Sequence, residues 1–489
     1  MRLFPMNAGQ TRARLVQACA VVASVALVAG CGSSYRPVVT PINSSGPAAQ
    51  VTSYVVVVSS PSTTTPGVAT IIDYSGDTVL AEAPIGPGPS AFTIDSTSST
   101  GYTLNSDGTL SNFPISPSLQ AKQVTYSTLS SATQTAPPHP PVNIFSPASG
   151  LWTADLNGNF VDIFTGSPEA FRLAIPVALT PVTVGGPGPI GQYNYAISQE
   201  IANPTGVECN NSPSTGPAGV ADALGSSSYV VQASIPLGKC PVYTVQSPDQ
   251  KRFFVLNRGS DTITVINSQT SALDSCTPFL NQAGQKVTCH PSLPVSPAPD
   301  HLFAGPVYAE YNSATSQLVV ANYDGNSISV IDVSLDEYGN DSATFGTTFT
   351  IPVGNNPASV TVLADGSRAY AANQTDQTVT IVNLTSHTVE KTLPVIGHPR
   401  TVVSTQNATF GKVYVASPDS PYLTILRTDL DIVDTTILVE GNIVDVRATT
   451  QTGSNGNAIV VSRVPGYGEP CYLPGVTAQA TLAACQKLP

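Results

Sequence analysis

Few side chains in this 489-residue chain have the type and spacing that chemistry needs. The five histidines are scattered at positions 139, 290, 301, 387 and 398, and the sequence has neither a Gly-x-Ser-x-Gly nucleophile motif nor a CxxCH haem motif. Asp155-Leu-Asn-Gly-Asn159 resembles the start of a calcium loop, but Gly166 stands at the twelfth position, where a bidentate glutamate is needed. Asn and Gly are also favoured in hairpin turns. We therefore predict a turn here, no catalytic residue, no metal and no cofactor.

Polar residues at predicted turns and junctions form a second group of candidates. His398 and Arg400 lie in a junction between repeats, Arg258 and Asp261 lie in one hairpin turn, and Asp376 lies in another. Turns of this kind should face the same mouth of a repeated fold, so the five side chains could form a polar ligand surface. Repeated turns also carry polar residues simply because they face water. Both interpretations stay open on sequence alone.

Eight cysteines indicate an oxidising compartment. Cys19 belongs to a predicted export signal and Cys31 to a predicted lipid anchor. The other six lie as neighbours along the chain, which would allow three local disulfides: Cys209 with Cys240, Cys276 with Cys289, and Cys471 with Cys485. Six cysteines allow fifteen connectivities, and spacing alone does not choose among them. No CxxC motif or Cys/His cluster has the spacing of a zinc site.

The first thirty residues have the pattern of an export signal, with three arginines before an apolar run at 15–29 that is short for a membrane span. The run ends in Val28-Ala-Gly-Cys31, which resembles a bacterial lipobox. That resemblance implies cleavage before Cys31 and lipidation of this cysteine, and the following Gly32 is compatible with passage to the outer membrane. Several acyl chains would make a firm anchor. An ordinary signal peptide with a chance cysteine is the alternative.

Composition agrees with an exported protein on a tether. Residues 32–52 lack strand periodicity until Val51 and predict a flexible segment. Loss of the signal arginines Arg2, Arg12 and Arg14 leaves 16 of the 19 basic residues against 31 acidic ones, a net charge of −15. This charge disfavours nucleic acid and bare anionic membrane as partners.

A hairpin unit recurs in the second half of the chain. In each copy the polar residue that ends one strand recurs after ten positions at the end of the next. The copies are Arg252–Asn257 with Thr262–Asn267, Leu318–Asn322 with Ser327–Asp332, Arg368–Asn373 with Thr378–Asn383, and Lys412–Ser417 with Tyr422–Arg427. A tandem β-repeat of this kind either stacks into a solenoid or closes into a ring.

The segments between the hairpins complete the unit. A Gly-x-x-Pro junction recurs at Gly86–Pro89, Gly238–Pro241 and Gly354–Pro357, and a short strand follows each. Four antiparallel strands per unit predict an all-β propeller. Third strands near 70, 110, 162, 221, 264, 329, 380 and 424 predict eight blades, with the strand at 443–448 completing the first blade and closing the ring. A leftover apolar run at 458–463 keeps seven blades open, and the degenerate fourth unit predicts a second strand near Gly206.

These repeats resemble the YVTN-type repeat of the YncE-like and lactonase-like propeller superfamily. Tyr370–Asn373 and Tyr414–Ser417 stand where that family shows Tyr-Val-Thr-Asn, and the resemblance covers Arg252 to about Thr436. It implies a propeller, and members are commonly exported. Lactonases share the architecture, but no constellation of Glu, His and Arg at matching junctions allows their site to be carried over.

Two insertions point to recognition. Residues 199–218 and 268–305 lengthen the loops of adjacent units and carry four cysteines. Ordered loops on a rigid scaffold are common recognition sites, and disulfides lower the entropy lost on binding; stapling of poorly packed loops is the alternative.

We predict a lipid-anchored binding or assembly module at the bacterial cell envelope, with an envelope or extracellular protein or a small ligand as its partner. The alternatives are a lactonase-like or other hydrolytic propeller with its site at one channel mouth, and a purely structural surface protein. The predicted organisation is a signal at 1–30, a tether at 31–52, a propeller at 53–465 and a disulfide-bonded tail at 466–489.

Overall fold

A computed structural model describes residues 53–116, 125–128, 141–147, 150–156, 158–166, 169–186, 193–202, 208–210, 212–281, 283–405 and 411–449. The predictions for the export signal, Cys31, the tether, the tail and the Cys471–Cys485 disulfide lie outside these residues. In the described part of the chain, no helix is long and apolar enough to cross a membrane.

The described residues form eight antiparallel blades, as the repeat predicts. Blade 1 contains β1 (Tyr54–Ser60), β2 (Pro66–Asp73) and β3 (Thr78–Pro87); blade 2 contains β4 (Pro89–Ile94), β5 (Thr100–Asn105), β6 (Thr109–Pro114) and β7 (Thr125–Thr128). Blade 3 contains β8 (Asn143–Phe145), β9 (Leu151–Asp155), β10 (Phe160–Thr165) and β11 (Ala170–Pro176); blade 4 contains β12 (Pro181–Gly185), β13 (Tyr193–Ser198), β14 (Ala218–Gly225) and β15 (Val231–Lys239).

The second half follows the same order from the innermost strand outward. Blade 5 contains β16 (Pro241–Gln246), β17 (Arg252–Asn257), β18 (Thr262–Asn267), β19 (Ala272–Leu273) and β22 (Ser292–Pro294), with a separate hairpin of β20 (Phe279–Leu280) and β21 (Lys286–Val287). Blade 6 contains β23 (Pro306–Asn312), β24 (Gln317–Asn322), β25 (Ser327–Asp332) and β26 (Thr348–Pro352). Blade 7 contains β27 (Pro357–Val362), β28 (Arg368–Asn373), β29 (Thr378–Asn383) and β30 (Thr388–Pro394); blade 8 contains β31 (Thr401–Ser404), β32 (Lys412–Ala416), β33 (Tyr422–Arg427) and β34 (Ile432–Leu438).

The ring closes through the last described strand, β35 (Asn442–Ala448), which pairs antiparallel with β1 and becomes the inner strand of blade 1. The innermost strands of consecutive blades contact one another all the way round, with β35 lying between β31 and β4. The predicted eight-bladed count and C-terminal closure are confirmed. By pairing with β1, this strand covers the edge that β1 would otherwise leave unpaired.

Apolar side chains on alternate positions of each strand pack against different neighbouring blades. On β1, Val55 and Val57 pack in a core shared with blade 8, whereas Val56 and Val58 pack in a core shared with blade 2. Because both faces of a blade are buried, its central strands carry nearly continuous β-branched runs rather than an apolar and polar alternation.

The second strand of blade 4 lies at β13, so the prediction of a strand near Gly206 is wrong. Tyr195 and Ile197 of β13 are fully buried between blades, which gives this segment the packing that a central strand needs. Glu208 to Asn210 instead form a turn that carries the Cys209–Cys240 disulfide.

An asparagine clamp explains the strand-ending polar residue of the repeat. In four blades the buried side-chain amide of this asparagine donates to two hydroxyls of the facing third strand, at 2.8 to 3.3 Å. The clamps are Asn105 to Thr109 and Ser111, Asn257 to Thr262 and Thr264, Asn322 to Ser327 and Ser329, and Asn373 to Thr378 and Thr380. Each clamp satisfies polar groups that burial would otherwise leave unpaired.

The junction glycine is required by this clamp. A Cβ atom on Gly354 would lie 2.6 Å from Nδ2 of Asn373, and one on Gly238 would lie 2.8 Å from Cβ of Asn257. The backbone of the junction therefore passes directly over the asparagine, and only glycine leaves room for it.

The two faces of the propeller carry different loops. The face that carries the blade-to-blade junctions and the turns between second and third strands is called the junction face. The opposite, terminal face carries the remaining turns and both ends of the described propeller. There the amide of Tyr54 donates to Oγ1 of Thr449 at 2.8 Å, and the amide of Thr449 donates to the carbonyl oxygen of Tyr54 at 2.9 Å.

On the terminal face, a turn carboxylate of one blade binds the start of the second strand of the preceding blade. Asp431 of blade 8 accepts from the hydroxyl of Tyr370 at 2.6 Å and pairs with Arg368. Asp77 of blade 1 accepts from the hydroxyl of Tyr414 at 2.8 Å and from Nζ of Lys412 at 2.5 Å. The recurring basic-x-Tyr sequence is therefore an inter-blade contact, and its last copy joins blade 8 to blade 1.

Blade 3 replaces the asparagine clamp by two buried carboxylates. Asp155 stands at the asparagine position and Asp162 at the position of the second hydroxyl, and their side chains are 2% and 3% exposed. Burial and then the charge of Asp155 raise the pKa of Asp162 to about 7. The Asp155–Asn159 segment closes as a hairpin turn, with the amide of Gly158 donating to Asp155 at 2.9 Å.

We expect the substitution Asp162→Asn to stabilise the protein at pH 8 and to have little effect at pH 4. The folded-state pKa of Asp162 lies above its unfolded value, so the wild type loses stability as pH rises from about 4 to 7 and then levels off. Removing the charge should raise the free energy of unfolding by about 2 kcal/mol at pH 8. Denaturant titrations at both pH values measure this, with Asp95→Asn in a surface turn as the control; an equal effect at both pH values would contradict it.

We expect Asp77→Asn to lower the free energy of unfolding by about 2 kcal/mol, because Lys412 loses its charged partner at a largely buried site where blade 8 meets blade 1. Chemical denaturation at neutral pH provides the measurement. The matched control is Asp107→Asn, a turn carboxylate that accepts from Thr109 of its own turn. Equal losses in both variants would show that the ring-closing contact has no special weight.

Candidate functional site

All five predicted ligand-binding residues lie on the junction face, but they fall into two groups. Arg258 and Asp261 occupy the turn between β17 and β18 of blade 5. His398 and Arg400 lie in the junction between blades 7 and 8, and Asp376 lies in a turn of blade 7 beside Gln377, which contacts His398. The side chains of Arg258, Asp261, Asp376 and His398 all bind other groups of the protein.

Arg258 is buried and held by a carboxylate from the next blade. Its Nε and Nη2 atoms donate to the two oxygens of Asp324 at 3.0 and 2.8 Å. Its guanidinium also lies 5.0 Å from the ring centre of Tyr323. A bidentate pair at this depth is a strong and directional contact, and breaking it from one side leaves a buried charge. Arg258 therefore joins blade 5 to blade 6.

Asp261 and Asp376 bind backbone amides of the junctions. Oδ1 of Asp261 accepts from Ala304 and Gly305 at 3.1 and 2.8 Å. Asp376 accepts from the backbone amide and the side chain of Asn355, both at 2.7 Å. Both carboxylates thus fix the path of a junction loop.

His398 and Asp419 form a pair like that of a general base and its orienting acid. Nδ1 of His398 lies 2.6 Å from Oδ2 of Asp419, whose other oxygen accepts the backbone amide of His398 at 2.8 Å. Nε2 of the imidazole lies 3.1 Å from Nε2 of Gln377, so each ring nitrogen has a protein partner. Arg400 donates its backbone amide to Ala416 at 2.9 Å.

Sequence reasoning overlooked Asp324 and Asp419 as organisers of this face. They stand two residues after the strand-ending Asn322 and Ser417, much as Asp376 stands three after Asn373. An acid at this offset in successive repeats was the available signal. Among the described residues, no group of three or more His, Cys, Asp and Glu side chains could hold a metal ion.

The insertion after β13 reaches across two blade boundaries. The predicted disulfide between Cys209 and Cys240 is present, and both cysteines are buried. The amide of Ser214 donates to the carbonyl oxygen of Gly259 in blade 5 at 3.0 Å, and the amide of Ser212 donates to Asp324 of blade 6 at 3.2 Å. The described part of this insertion, 208–210 and 212–217, is therefore held against blades 5 and 6 on the junction face.

The prediction that the second insertion lengthens a loop is correct only in part, because most of this insertion does not lie on the junction face. The outer position of blade 5 is shared by β19 and β22, which both pair with β18. Between them, residues 274–291 form an excursion from the outer edge, closed by the predicted disulfide between Cys276 and Cys289. Only the following segment, 295–305, returns to the junction face, where it presents Leu302 with 86% of its surface exposed.

A buried ion pair lies on the inner strand β35. Nη2 of Arg447 donates to Oδ2 of Asp445 at 2.9 Å, and both side chains are less than a tenth exposed. Burial acts to lower the pKa of Arg447, but Asp445 and then Tyr308 and Tyr243 outweigh it and raise this pKa. These tyrosines lie on β16 and β23, the inner strands of blades 5 and 6.

Together these features define an eight-bladed β-propeller with a braced junction face. The two disulfides in the described part of the chain indicate an extracytoplasmic protein. No protein-family model matches the chain, and no curated protein matches it.

Comparison with solved structures shows the fold. AztD from Citrobacter koseri superposes with a TM-score of 0.53 at 12% identity, over 81% of this chain and 97% of that one. The dihydro-haem d1 dehydrogenase NirN, solved in complex with DHE, superposes with a TM-score of 0.55 at 12% identity, over 83% and 77%. A protein suggested to be a 6-phosphogluconolactonase, from Bacteroides fragilis, reaches 0.49 at 16% identity, over 82% and 99%, too low to support an argument about activity.

We expect Asp324→Asn to loosen the 208–217 insertion, since Arg258 loses its charge partner and Ser212 a strong acceptor. Stability should fall by about 2 kcal/mol, and amides of 212–217 should exchange faster with solvent. Hydrogen exchange read by mass spectrometry measures both local and global effects. Asp419→Asn, the equivalent carboxylate of blade 8, should leave the exchange of 212–217 at its wild-type rate; parallel changes in both variants would refute a specific role for Asp324.

Proposed function

We propose that this protein is an exported, lipid-anchored propeller that acts as a binding or assembly module at the bacterial cell envelope, with the junction face as its binding surface. One observation carries the proposal: both ends of the described propeller leave from the terminal face. A chain anchored through Cys31 would reach the propeller at Tyr54 on that face. The tether predicted from the sequence would span about 25 Å as a random coil, enough to hold the domain just off a bilayer with the junction face outward.

The order of the junction face supports binding. The described residues of the blade 4 insertion are fixed by a disulfide, by Asp324 and by blade 5, so a partner would meet a surface that loses little entropy on binding. Leu302 and Ile396 are large apolar side chains left exposed on this face. Such residues are common anchors in protein recognition when they stand on a rigid support.

A hydrolytic enzyme is the second candidate, favoured by the His398–Asp419 pair. It ranks lower because Gln377 contacts the second nitrogen of that imidazole and Asp324 holds the guanidinium of Arg258. Asp261 and Asp376 are likewise engaged with backbone amides. The side chains that would have to act on a substrate therefore already stabilise the fold.

We expect photo-crosslinking in the native envelope to distinguish the two faces. A photo-reactive amino acid at position 302 should give a discrete crosslinked partner, because Leu302 projects from the junction face. The matched control is position 430, since Leu430 is 56% exposed on the terminal face of blade 8. Mass spectrometry identifies the product, and the substitution Asp324→Asn should reduce its yield.

Three outcomes separate the hypotheses. Crosslinks from 302 alone support a binding module, whereas equal products from 302 and 430 would indicate unspecific proximity. No product from either site, with the protein abundant, would favour the structural or enzymatic alternative, which a screen of lactone hydrolysis by wild type and His398→Ala then resolves.

The variant Cys31→Ser should release the protein from the membrane fraction; unchanged retention would contradict the lipid anchor.

A further inference from the structure

Four ionisable side chains meet in a buried network where blade 5 contacts blade 6. Nη2 of Arg252 lies 2.9 Å from Oδ1 of Asp341, and Nε of Arg252 lies 3.3 Å from Oδ2 of Asp274. Oδ2 of Asp341 accepts the backbone amide of His290 at 3.1 Å and lies 2.8 Å from its ring Nδ1. Arg252 and both aspartates are at most 4% exposed, and the imidazole is 32% exposed.

The charges of this network balance only when it holds one extra proton. Two carboxylates face a single guanidinium, and the charge of Asp341 acts to raise the pKa of Asp274. A proton held by Asp274 makes the cluster neutral. Without that proton a net negative charge would be buried, which is costly in a protein interior.

The network stands at the base of the 274–291 excursion. Asp274 is its first residue and His290 is next to its last, on either side of the Cys276–Cys289 disulfide. Asp341 belongs to the loop between β25 and β26 of blade 6. Beyond the network, the excursion touches this loop where Asn281 donates to Asp336 at 3.2 Å and where His290 stacks on Phe345 at 5.3 Å.

We propose that this network is a proton-dependent latch that docks the 274–291 excursion onto blade 6. With the proton in place, Arg252, Asp274, Asp341 and His290 form a neutral, hydrogen-bonded base. When the proton leaves, repulsion between the two buried carboxylates loosens the excursion. The excursion carries the exposed Phe279 and Leu280, so the latch sets the order of an apolar tip on the outer edge of the propeller.

The titration of Asp274 has the direction that this latch needs. Burial raises its pKa to about 6, with Arg252 opposing the rise and Asp341 adding to it. Because the folded-state pKa lies above the usual value near 4, the stabilisation is present at low pH and is lost as pH rises through about 6. The other charged side chains on the packed elements are not members of the network: Asp249, Lys251, Asp261, Lys286, Asp332, Asp336 and Glu337.

Hydrogen exchange of the intact protein between pH 5 and pH 8 tests the latch. After correction for intrinsic exchange rates, the protection of amides in 274–291 should fall by roughly tenfold across this range in the wild type. In Asp274→Asn, which keeps an acceptor and removes the charge, protection should vary little with pH. The matched control is Glu337→Gln, an exposed carboxylate in the same loop of blade 6, which should keep the wild-type profile.

Two results would overturn the latch. Protection of 274–291 that does not change with pH in the wild type would overturn the latch, whether or not the variants fold. A fall that persists unchanged in Asp274→Asn would mean that other groups titrate. Exchange of β28 and β29 in blade 7 serves as the internal reference for the global loss of stability that Asp162 causes over the same pH range. A fall in protection of 274–291 no larger than the fall in this reference would also count against a local latch.

Discussion

Each blade buries both faces of its sheet against its neighbours, so the stability of every blade depends on closure of the ring. Blade 1 is where this dependence is met: β1 begins the propeller and its partner β35 ends it, and Tyr54 and Thr449 bond across 395 positions of sequence. The closing seam carries polar contacts as well, with Asp77 bound to Lys412 and Tyr414 and with Arg447 paired to Asp445. Such long-range pairing costs loop-closure entropy that local hairpins do not.

The repeat in the sequence predicted the fold because local chemistry and global packing demand the same residues. Asn373 marks a strand end since its amide clamps Thr378 and Thr380, and Gly354 marks a junction since the backbone crosses that amide. The strand-ending asparagine and the junction glycine can both be read from the sequence, and from their spacing the blade count and the closing strand could be predicted. Blade 4 was misread because an insertion of about twenty residues separates β13 from β14 and hides the regular ten-residue offset.

The candidate site was less predictable, because the partners that decide a side chain's role come from other blades. Arg258 looked like an exposed turn cation, yet Asp324, 66 residues away, binds it in a buried pair. The same holds for Asp261, which binds the amides of Ala304 and Gly305. Position in the repeat predicts which face a residue lies on. It does not predict whether its polar group faces solvent or another loop, since that depends on junction lengths that vary between blades.

The two disulfides among the described residues illustrate how similar sequence signals serve different physical ends. Cys209–Cys240 spans 31 positions and is fully buried, so it ties an insertion to the scaffold between blades 4 and 5. Cys276–Cys289 spans 13 positions and closes an excursion whose tip is exposed, so it constrains that excursion without joining it to another blade. In the chain-entropy account, the disulfide that closes the longer loop stabilises the folded state more, by somewhat less than about 1 kcal/mol. Docking of the shorter loop is left to the polar network of Arg252, Asp274, Asp341 and His290, which makes the excursion the part of blade 5 whose order can respond to its surroundings.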